Sequence, residues 1–512
     1  MVTPDDDTGP VSFGTARGRW VLLATVAASG MAFLDATVVN VALPTIGRDL
    51  ETDVAGLQWV LNGYLLTTSA LLLLGGSLGD RLGRRRVFVA GVVVFAVASV
   101  ACAVAPNVAA LVLGRVAQGV GGALLTPGSL AILQASFAAS DRSRAIGTWS
   151  GMTGVASAVG PFVGGWLVDA ANWRWVFLLN IPLAALVLAV TLRHVPETRD
   201  PEAAGRIDAS GAVLVAAALA AGSWGLIAAG DRGWADLGVL VPLVLAAGTL
   251  AVFGAVELRS SHPMVPPAIF AVRQFRAANQ VTVAVYAGLG VVFFLLVLQL
   301  QQVLGYSALQ AGAATLPITL LMLLLSSRSG QLADRIGPRL QMSAGPLILA
   351  AGLVWLSGVE AGDQYLTGVL PPVVVVGLGL AATVAPLTAT ALGAVDERHA
   401  GVASGVNNTV ARASQLAAVA AVPVAAGITG GALDDPAQFS TGFGKGVLIA
   451  AGLAALGGLI GLAGIRNPTP TLATAPQPAT SAAETTPPAP DSAFAGRVHC
   501  GVEGPPLDRC PR

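Results

Sequence analysis

The sequence predicts an all-α protein that crosses a lipid bilayer many times. Of its 512 residues, 54% are hydrophobic and only 11% are charged, whereas a soluble domain has about 25% charged residues. The mean hydropathy is +0.73. Apolar runs of roughly 20 residues, the length that crosses the hydrocarbon core as a helix, follow one another along most of the chain. The chain therefore has too few polar residues to cover a water-facing surface of this size.

About fourteen of these runs are predicted to span the membrane. The boundaries of 108–136 and 367–393 are the least defined, because both runs exceed one simple crossing. The expected spans are 20–43, 56–78, 87–105, 108–136, 145–169, 175–193, 208–230, 235–256, 278–303, 309–327, 341–359, 367–393, 402–429 and 446–465.

These spans group into two sets of six with an additional pair between them. The expected organisation is a cytoplasmic N-terminal tail (1–19), a six-helix bundle (20–194), a linker with two extra helices (195–276), a second six-helix bundle (277–466) and a C-terminal tail (467–512). The last segment is rich in Pro, Ala, Thr and Ser, so we expect a disordered cytoplasmic tail.

The arginines indicate the orientation in the membrane. With the N-terminus placed inside, nineteen basic residues fall in or before the inside loops and four fall in the outside loops. This asymmetry is the positive-inside pattern. Because a miscount by one helix would destroy it, the asymmetry supports an even number of spans and places both termini in the cytoplasm.

A charged loop occurs twice among the apolar runs. "GGSLGDRLGRRRVF" (75–88) and the looser "SGQLADRIGPRLQM" (329–342) both lie between the second and third spans of a six-span set. Topology marking by positive charge explains the arginines, but it does not explain the repeated acid and glycines. We interpret the loops as a conformational latch. Its expected residues are Gly76, Asp80, Arg81, Gly83 and Arg84 in the first copy, and Asp334 and Arg335 in the second.

The first loop resembles the signature of the major facilitator superfamily, and four further stretches resemble motifs of its drug:proton antiporters. These are "LDATVVNVALP" (34–44), "GRVAQGVGGALLTP" (114–127), "GVASAVGPFVGGWL" (154–167) and "NWRWVFLLNIP" (172–182). The resemblance covers about 20–466, and the extra central pair is similar to the fourteen-span branch, the EmrB/QacA-like multidrug exporters. In the second loop, Pro338 and Leu340 stand where the first has Arg84 and Arg86, so we expect fewer charge contacts there.

Asp35 and Arg115 are the predicted proton-coupling residues. Asp35 is the only carboxylate within the first span, and ionisable residues at such depth mark transport pathways by default. Asp35 lies nine residues before Pro44, and Arg115 lies eight residues after Asn107. Both are therefore on the order of 12–14 Å from the outer boundary, so a contact is possible. The alternatives are an Asp that only pairs with a neighbouring helix and an Arg that only bonds backbone carbonyls. The resemblance implies a role in proton coupling for Arg115.

Polar residues within the spans are the candidate lining of a substrate cavity. Gln118 shares a helix face with Arg115, and Asn408, Arg412 and Gln415 share a face of the thirteenth span. For this second stripe, cavity lining and helix–helix bonding are equally plausible. The full set is Asn40, Asn62, Gln118, Gln299, Gln302, Asn408, Arg412 and Gln415.

The stretch containing Gly160, Pro161, Gly164 and Gly165 is expected to act mechanically. Small residues allow close helix approach, and Pro161 removes a backbone donor and favours a kink. Ordinary packing is the alternative interpretation.

The sequence favours a transporter over an enzyme. The four histidines lie in loops or the tail without a nucleophile or metal cluster, and no phosphate-binding loop for ATP is present. We expect the protein to use protons to drive the export of hydrophobic or cationic drugs. We also expect it to be a monomer in the bacterial inner membrane. Protons would be the coupling ion, with no cofactor, no metal and no nucleic-acid partner, since the net charge is zero. The alternatives are a proton-coupled symporter, an exporter of a specific metabolite on the same fold, and, from another class, an intramembrane enzyme or lipid scramblase.

Overall fold

The computed structural model describes residues 11–199, 209–260, 266–395 and 400–467. Residues 468–512 of the expected C-terminal tail, residues 1–10 of the expected N-terminal tail and the segment 200–208 lie outside these ranges. Met1–Asn467 forms one compact unit, and its described parts contain fourteen long α-helices. In chain order they are α1 (Ala16–Asp49), α2 (Val54–Leu82), α3 (Arg84–Ala103), α4 (Val108–Ser136), α5 (Ala139–Ala170), α6 (Trp175–His194), α7 (Ala209–Arg232), α8 (Leu237–Arg259), α9 (Arg273–Leu298), α10 (Ala308–Ile336), α11 (Pro338–Leu356), α12 (Leu370–Gly393), α13 (Ala400–Ala425) and α14 (Pro436–Gly464).

Twelve of these helices are long and apolar enough to cross a membrane, and the bent α2 makes a thirteenth. The all-α multi-pass class is thus confirmed among the described residues, but the predicted count of fourteen spans is not. The helix outside this set is α13, whose Asn408, Arg412 and Gln415 lower its hydropathy. One-turn π-helical segments, Gln299–Val303 and Tyr365–Val369, extend α9 and precede α12.

Side-chain caps and glycines define the helix ends. Asp53 accepts a hydrogen bond from the Gly56 N–H at 2.9 Å and starts α2, and Ser307 and Gln310 form a capping box at the start of α10. Gly83 (φ 111°) separates α2 from α3, and Gly337 (φ 85°) separates α10 from α11. These values lie in a region that glycine adopts at little cost, which explains why a glycine recurs in both charged loops.

The two six-helix halves have the same packing scheme. In the first half, α1 packs on α5 and α6, and α4 packs on α2 and α3. In the second half, α9 packs on α13 and α14, and α12 packs on α10 and α11. The halves meet through two matching pairs, α5 with α10 and α2 with α13. The internal repeat of the sequence is therefore a repeat of tertiary structure.

The two central helices are unequal. Helix α7 packs against α2 of the first half and α13 of the second, whereas α8 packs mainly on α7. In α8, only 6% of the most apolar window is buried. Helix α7 thus fills a seam between the halves, and α8 presents an apolar surface to lipid.

The halves are in contact at one end of the molecule, where Asp49, Asp169 and Ser307 lie, and we call this the closed end. A Cβ added at Gly165 would lie 2.5 Å from the carbonyl oxygen of Ala308. At the other end, which carries Gly83 and Gly337 and which we call the loop end, a Cβ added at Gly151 or Gly330 would meet no atom within 4 Å. On the orientation that the arginines predict, this arrangement is inward-facing.

Candidate functional site

Asp35 and Arg115 form an ion pair inside the first half. The Arg115 Nη1 lies 2.5 Å from Asp35 Oδ2, and the two side chains are 0% and 1% exposed. The structure therefore brings together the two residues that the sequence placed at equal depth. The mutual neutralisation of their charges makes both tolerable at this depth, because removing one partner would leave the other as an uncompensated buried charge.

Two side-chain amides complete the shell of the carboxylate. Gln118 Nε2 donates to Asp35 Oδ1 at 3.1 Å, and Asn180 Nδ2 donates to the same oxygen at 2.8 Å. Both amides also donate to the Ser99 hydroxyl oxygen, at 2.8 and 3.2 Å. Asp35 is thus held by groups from α4 and α6, and Ser99 of α3 links the two amides. Gln118 is therefore part of the shell around Asp35, and its contribution to a substrate cavity stays a prediction.

The guanidinium of Arg115 is enclosed on its remaining sides. Its Nε donates to the Val60 carbonyl at 3.2 Å, and Nη1 also donates to Gln118 Oε1 at 2.8 Å. The ring of Tyr64 lies beneath it, with 4.5 Å between Cζ and the ring centroid. This is a cation–π distance. The site therefore includes α2 and draws on five helices of the first half.

Sequence reasoning missed two members of this shell. Asn180 lies in the quoted stretch 172–182, where a lone amide in an apolar run was the available signal. Ser99 carried no such signal in the sequence, because serines are common in membrane helices and often bond their own backbone. Ser99 also does this, since its hydroxyl donates to the Phe95 carbonyl at 2.7 Å.

The other proposed cavity residues separate into different environments. Asn62 is buried, and neither of its side-chain polar atoms has a hydrogen-bond partner among the described residues. Asn40 is half-buried and bonds its own helix at Ala36. Arg412 and Gln415 are half-buried and Asn408 is exposed. The assignment of these residues to a substrate cavity therefore stays a prediction.

The two glutamines after α9, which were also predicted to line the cavity, lie in other parts of the protein. Gln299 Nε2 donates to the Val359 carbonyl and to the Ser440 hydroxyl at 2.9 and 3.0 Å, so it ties the second half together. Its Oε1 is buried without a hydrogen-bond partner among the described residues, and its assignment to the cavity lining stays a prediction. Gln302 lines a separate groove at the closed end, beside Arg48 and Asp169.

The charged loops are held within their own halves. Arg84 pairs with Asp80 at 2.8 Å. The Arg85 N–H donates to Glu197 Oε1 at 3.1 Å. A Cβ at Gly83 would meet that carboxylate, whereas one at Gly76 would meet only Pro127, at 3.8 Å. Arg81 is half-buried and Arg335 is exposed, and the Asp334 side chain lies outside the described residues. The latch role stays a prediction, because the bonds described here do not join the two halves.

The Gly-Pro stretch of α5 is an interface with two neighbours. A Cβ at Gly160 or Gly164 would collide with Thr37 or Val38 of α1, and one at Gly165 would collide with Ala308 and Leu309 of α10. Pro161 presents its carbonyl to Gly312 of α10. Helix α5 is assigned continuously through Pro161, so these residues act here through close packing.

Comparison with known proteins identifies the family. The Major Facilitator Superfamily profile matches residues 25–419. The tetracenomycin C resistance and export protein of Streptomyces glaucescens is 37% identical over 396 residues, which cover 77% of this chain and 73% of that protein. The cephamycin export protein CmcT of Amycolatopsis lactamdurans is 34% identical over 435 residues, covering 84% and 89%.

Solved structures share the fold. A bacterial homologue of the human lysosomal transporter Spinster superposes with a TM-score of 0.62 at 16% identity, covering 89% of this chain and 100% of that one. The family assignment rests on the profile match over most of the chain, on the similar packing of the two six-helix halves and on the apolar helices. The chain belongs to the Major Facilitator Superfamily and is a multi-pass membrane transporter.

Proposed function

We propose that this protein exports small hydrophobic or cationic drugs across the bacterial inner membrane in exchange for protons. The observation that carries the proposal is the buried Asp35 carboxylate, which has a cationic partner and two amide donors. The names of its relatives support export, since they include tetracenomycin C, puromycin and cephamycin resistance or export proteins.

The arrangement supports a defined order of events. In the inward-facing form both Asp35 oxygens accept hydrogen bonds, and the side chain is fully buried. A proton can reach it only after the helices around it move. When the closed end opens, a proton from outside neutralises Asp35, which frees Arg115 and favours the return inward. Release of that proton inside restores the ion pair, and substrate then enters from the loop end.

One proton supplies enough energy for useful export. A charge crossing about 100 mV releases roughly 2.3 kcal/mol. This sustains about a 50-fold gradient of a neutral substrate, since about 1.4 kcal/mol corresponds to tenfold.

The test is fluorescent-dye efflux from cells that express the protein, with and without a protonophore. Asp35→Asn keeps the size of the side chain and removes its proton exchange, so both the protonophore and the variant should collapse efflux. Asp49→Asn makes the same change at the end of the same helix and should stay active. Efflux that survives the protonophore would exclude proton coupling, and a fully active Asp35→Asn would exclude this carboxylate.

The direction of proton movement separates the proposal from a symporter. In sealed vesicles, addition of an exported dye should drive protons opposite to the dye. Parallel movement of dye and protons would replace antiport with symport on the same fold.

A further inference from the structure

Arg412 is a charged side chain without a partner in the middle of α13. It is the thirteenth of the 26 residues of this helix, and it is half-buried. Among the described residues, no carboxylate or carbonyl oxygen binds its guanidinium. Arg115, the arginine within the first half, is by contrast neutralised by Asp35. Because a charge at this depth is costly in hydrocarbon, Arg412 must face a polar space.

Contacts on both sides of α13 show where the face of Arg412 points. On one side, Gln58 of α2 donates to the Val419 carbonyl at 2.7 Å. On the other side, a Cβ added at Gly290 of α9 would lie 3.0 Å from Gln415 Cα. Arg412 shares a helix face with Gln415 and Val419, because these residues are spaced by three and four positions. This face therefore lies between α2 and α9, which belong to different halves, and borders the cleft between the halves.

The cleft opens along this face toward the loop end. Helix α11 begins beside Gly337 at the loop end, so α13, two helices later, also runs from the loop end toward the closed end. Along α13, Val419 is buried, Gln415 and Arg412 are half-buried, and Asn408 is exposed. Arg412 lies seven residues before Val419, which is about 10 Å nearer the loop end. A solute that enters from the loop end therefore reaches Arg412 before the closed end.

A polar side chain on the facing helix also lacks a partner. Asn62 follows Gln58 by four residues, so it lies one turn nearer the loop end on the face of α2 that contacts α13. Its side chain is 0% exposed, and neither its amide nitrogen nor its oxygen has a hydrogen-bond partner among the described residues. Unpaired buried amides are costly. The contact between α2 and α13 thus carries two polar groups that the described protein groups do not satisfy.

The wall of α9 beside Arg412 is aromatic. Tyr286 precedes Gly290 by four residues and Phe293 follows it by three, so both share the face of α9 that contacts α13. Both are half-buried. A ligand that matches Arg412 and this wall has an acidic group and an aromatic or otherwise apolar body.

We propose that Arg412 binds the acid group of a hydrophobic carboxylate substrate in the cleft between the halves. A guanidinium provides a planar set of donors that matches the two oxygens of a carboxylate. This inference rests on the proposed export function and narrows its substrates. Hydrophobic compounds with an acidic oxygen are favoured at Arg412, and cations are repelled there. Asn62, one turn nearer the closed end, is the next polar group that the acid meets when that end opens.

Three pyrene compounds with different head groups test this on the purified full-length protein. These are 1-pyrenebutyrate, its uncharged isostere 1-pyrenebutyramide, and 4-(1-pyrenyl)butylammonium. The protein is placed in nanodiscs of neutral phosphatidylcholine, and energy transfer from its tryptophans to pyrene reports binding. The preference is the dissociation constant of the amide divided by that of the acid. Arg412→Gln removes the proposed partner, and Arg259→Gln removes an exposed arginine at the end of α8.

We expect the preference to fall by about tenfold or more in Arg412→Gln, since hydrogen bonds to charged groups contribute that much. It should change less than about threefold in Arg259→Gln. Comparison between proteins cancels the partitioning of each probe into lipid. An unchanged preference in Arg412→Gln, or equal losses in the two variants, would overturn the proposal. Tighter binding of the ammonium compound than of the acid by the wild type would also overturn it.

The thermal midpoint without probe separates binding from a structural role. Because Arg412 has no partner, Arg412→Gln should keep or raise the midpoint, and a lower midpoint would show that this arginine holds helices together instead. Arg412→Lys retains the charge and should retain a preference for the acid, so loss of the preference there would contradict a charge-based site. Binding is measured without a proton gradient. A failure of proton-coupled efflux would therefore contradict the proposed function and leave this site standing.

Discussion

Glu197 and Asn467 occupy the same place in the two halves of the protein. Each lies three residues beyond the last helix of its half, α6 or α14. Glu197 accepts the backbone N–H of Arg85 at 3.1 Å, and Asn467 accepts that of Arg339 at 3.0 Å. Arg85 and Arg339 are both the second residue of the helix after a charged loop. The repeat therefore extends to the side chain that ties each loop, as a carboxylate in one half and an amide in the other.

Removing this tie should loosen the first loop locally. Glu197→Ala leaves the Arg85 N–H without its partner, and we expect a loss on the order of 1 kcal/mol, because hydrogen bonds to charged groups contribute about that or somewhat more. Hydrogen exchange at the Arg85 amide should speed up severalfold. Glu197→Gln retains an acceptor and should restore protection. Unchanged exchange in Glu197→Ala would show that the bond does not order the loop.

The contributions of Asp35 and Arg115 to the free energy of unfolding should depend on each other, because the two side chains form an ion pair. Asp35→Asn or Arg115→Gln alone leaves a buried unpaired charge, and we expect each to destabilise the protein by about 3–5 kcal/mol. The double variant should recover a large part of this loss and stay inactive in proton-coupled efflux. Thermal unfolding of the wild type, the two single variants and the double variant gives a double-mutant cycle. Additive losses of stability in this cycle would contradict a direct ion pair.

The glycines of α5 should bias the conformational equilibrium in opposite directions. Gly165→Leu collides with Ala308 of α10 when the closed end is shut, so it should favour the outward-facing form. Gly151→Leu meets open space at the loop end here, so it should be tolerated inward-facing and hinder closure of that end.

Distances between spin labels across each end measure this shift. Gly248→Leu on α8 meets no atom within 4 Å and is the control. The same distance distribution in Gly165→Leu as in wild type would show that the α5–α10 contact does not hold the closed end shut.

Asp169 should stabilise the closed end across the interface between the halves. Its carboxylate oxygens accept the backbone N–H groups of Ala308 and Leu309 at 3.1 and 2.9 Å, at the positive N-terminus of α10. Asp169→Asn removes the negative charge and one of the two carboxylate acceptors at this helix start, which should cost about 1 kcal/mol, or about a fivefold shift toward the outward-facing form. The same label distances report it. Asp236→Asn, at the start of α8, is the matched capping control and should leave the distances unchanged.

The sequence by itself determined the membrane class, the order of the long helices, the internal repeat and the depth of Asp35 and Arg115. These follow from the length of apolar runs and from the cost of charge in hydrocarbon, both of which act locally along the chain. Only the tertiary structure decided which side chains surround Asp35, that Gln299 ties helices together, and which end of the molecule is closed. The reason is that lipid-facing and core-facing sides of these helices are equally apolar. Periodicity therefore does not show how each helix is rotated, and contacts such as Asn180 with Asp35 arise only when the packed bundle sets that rotation.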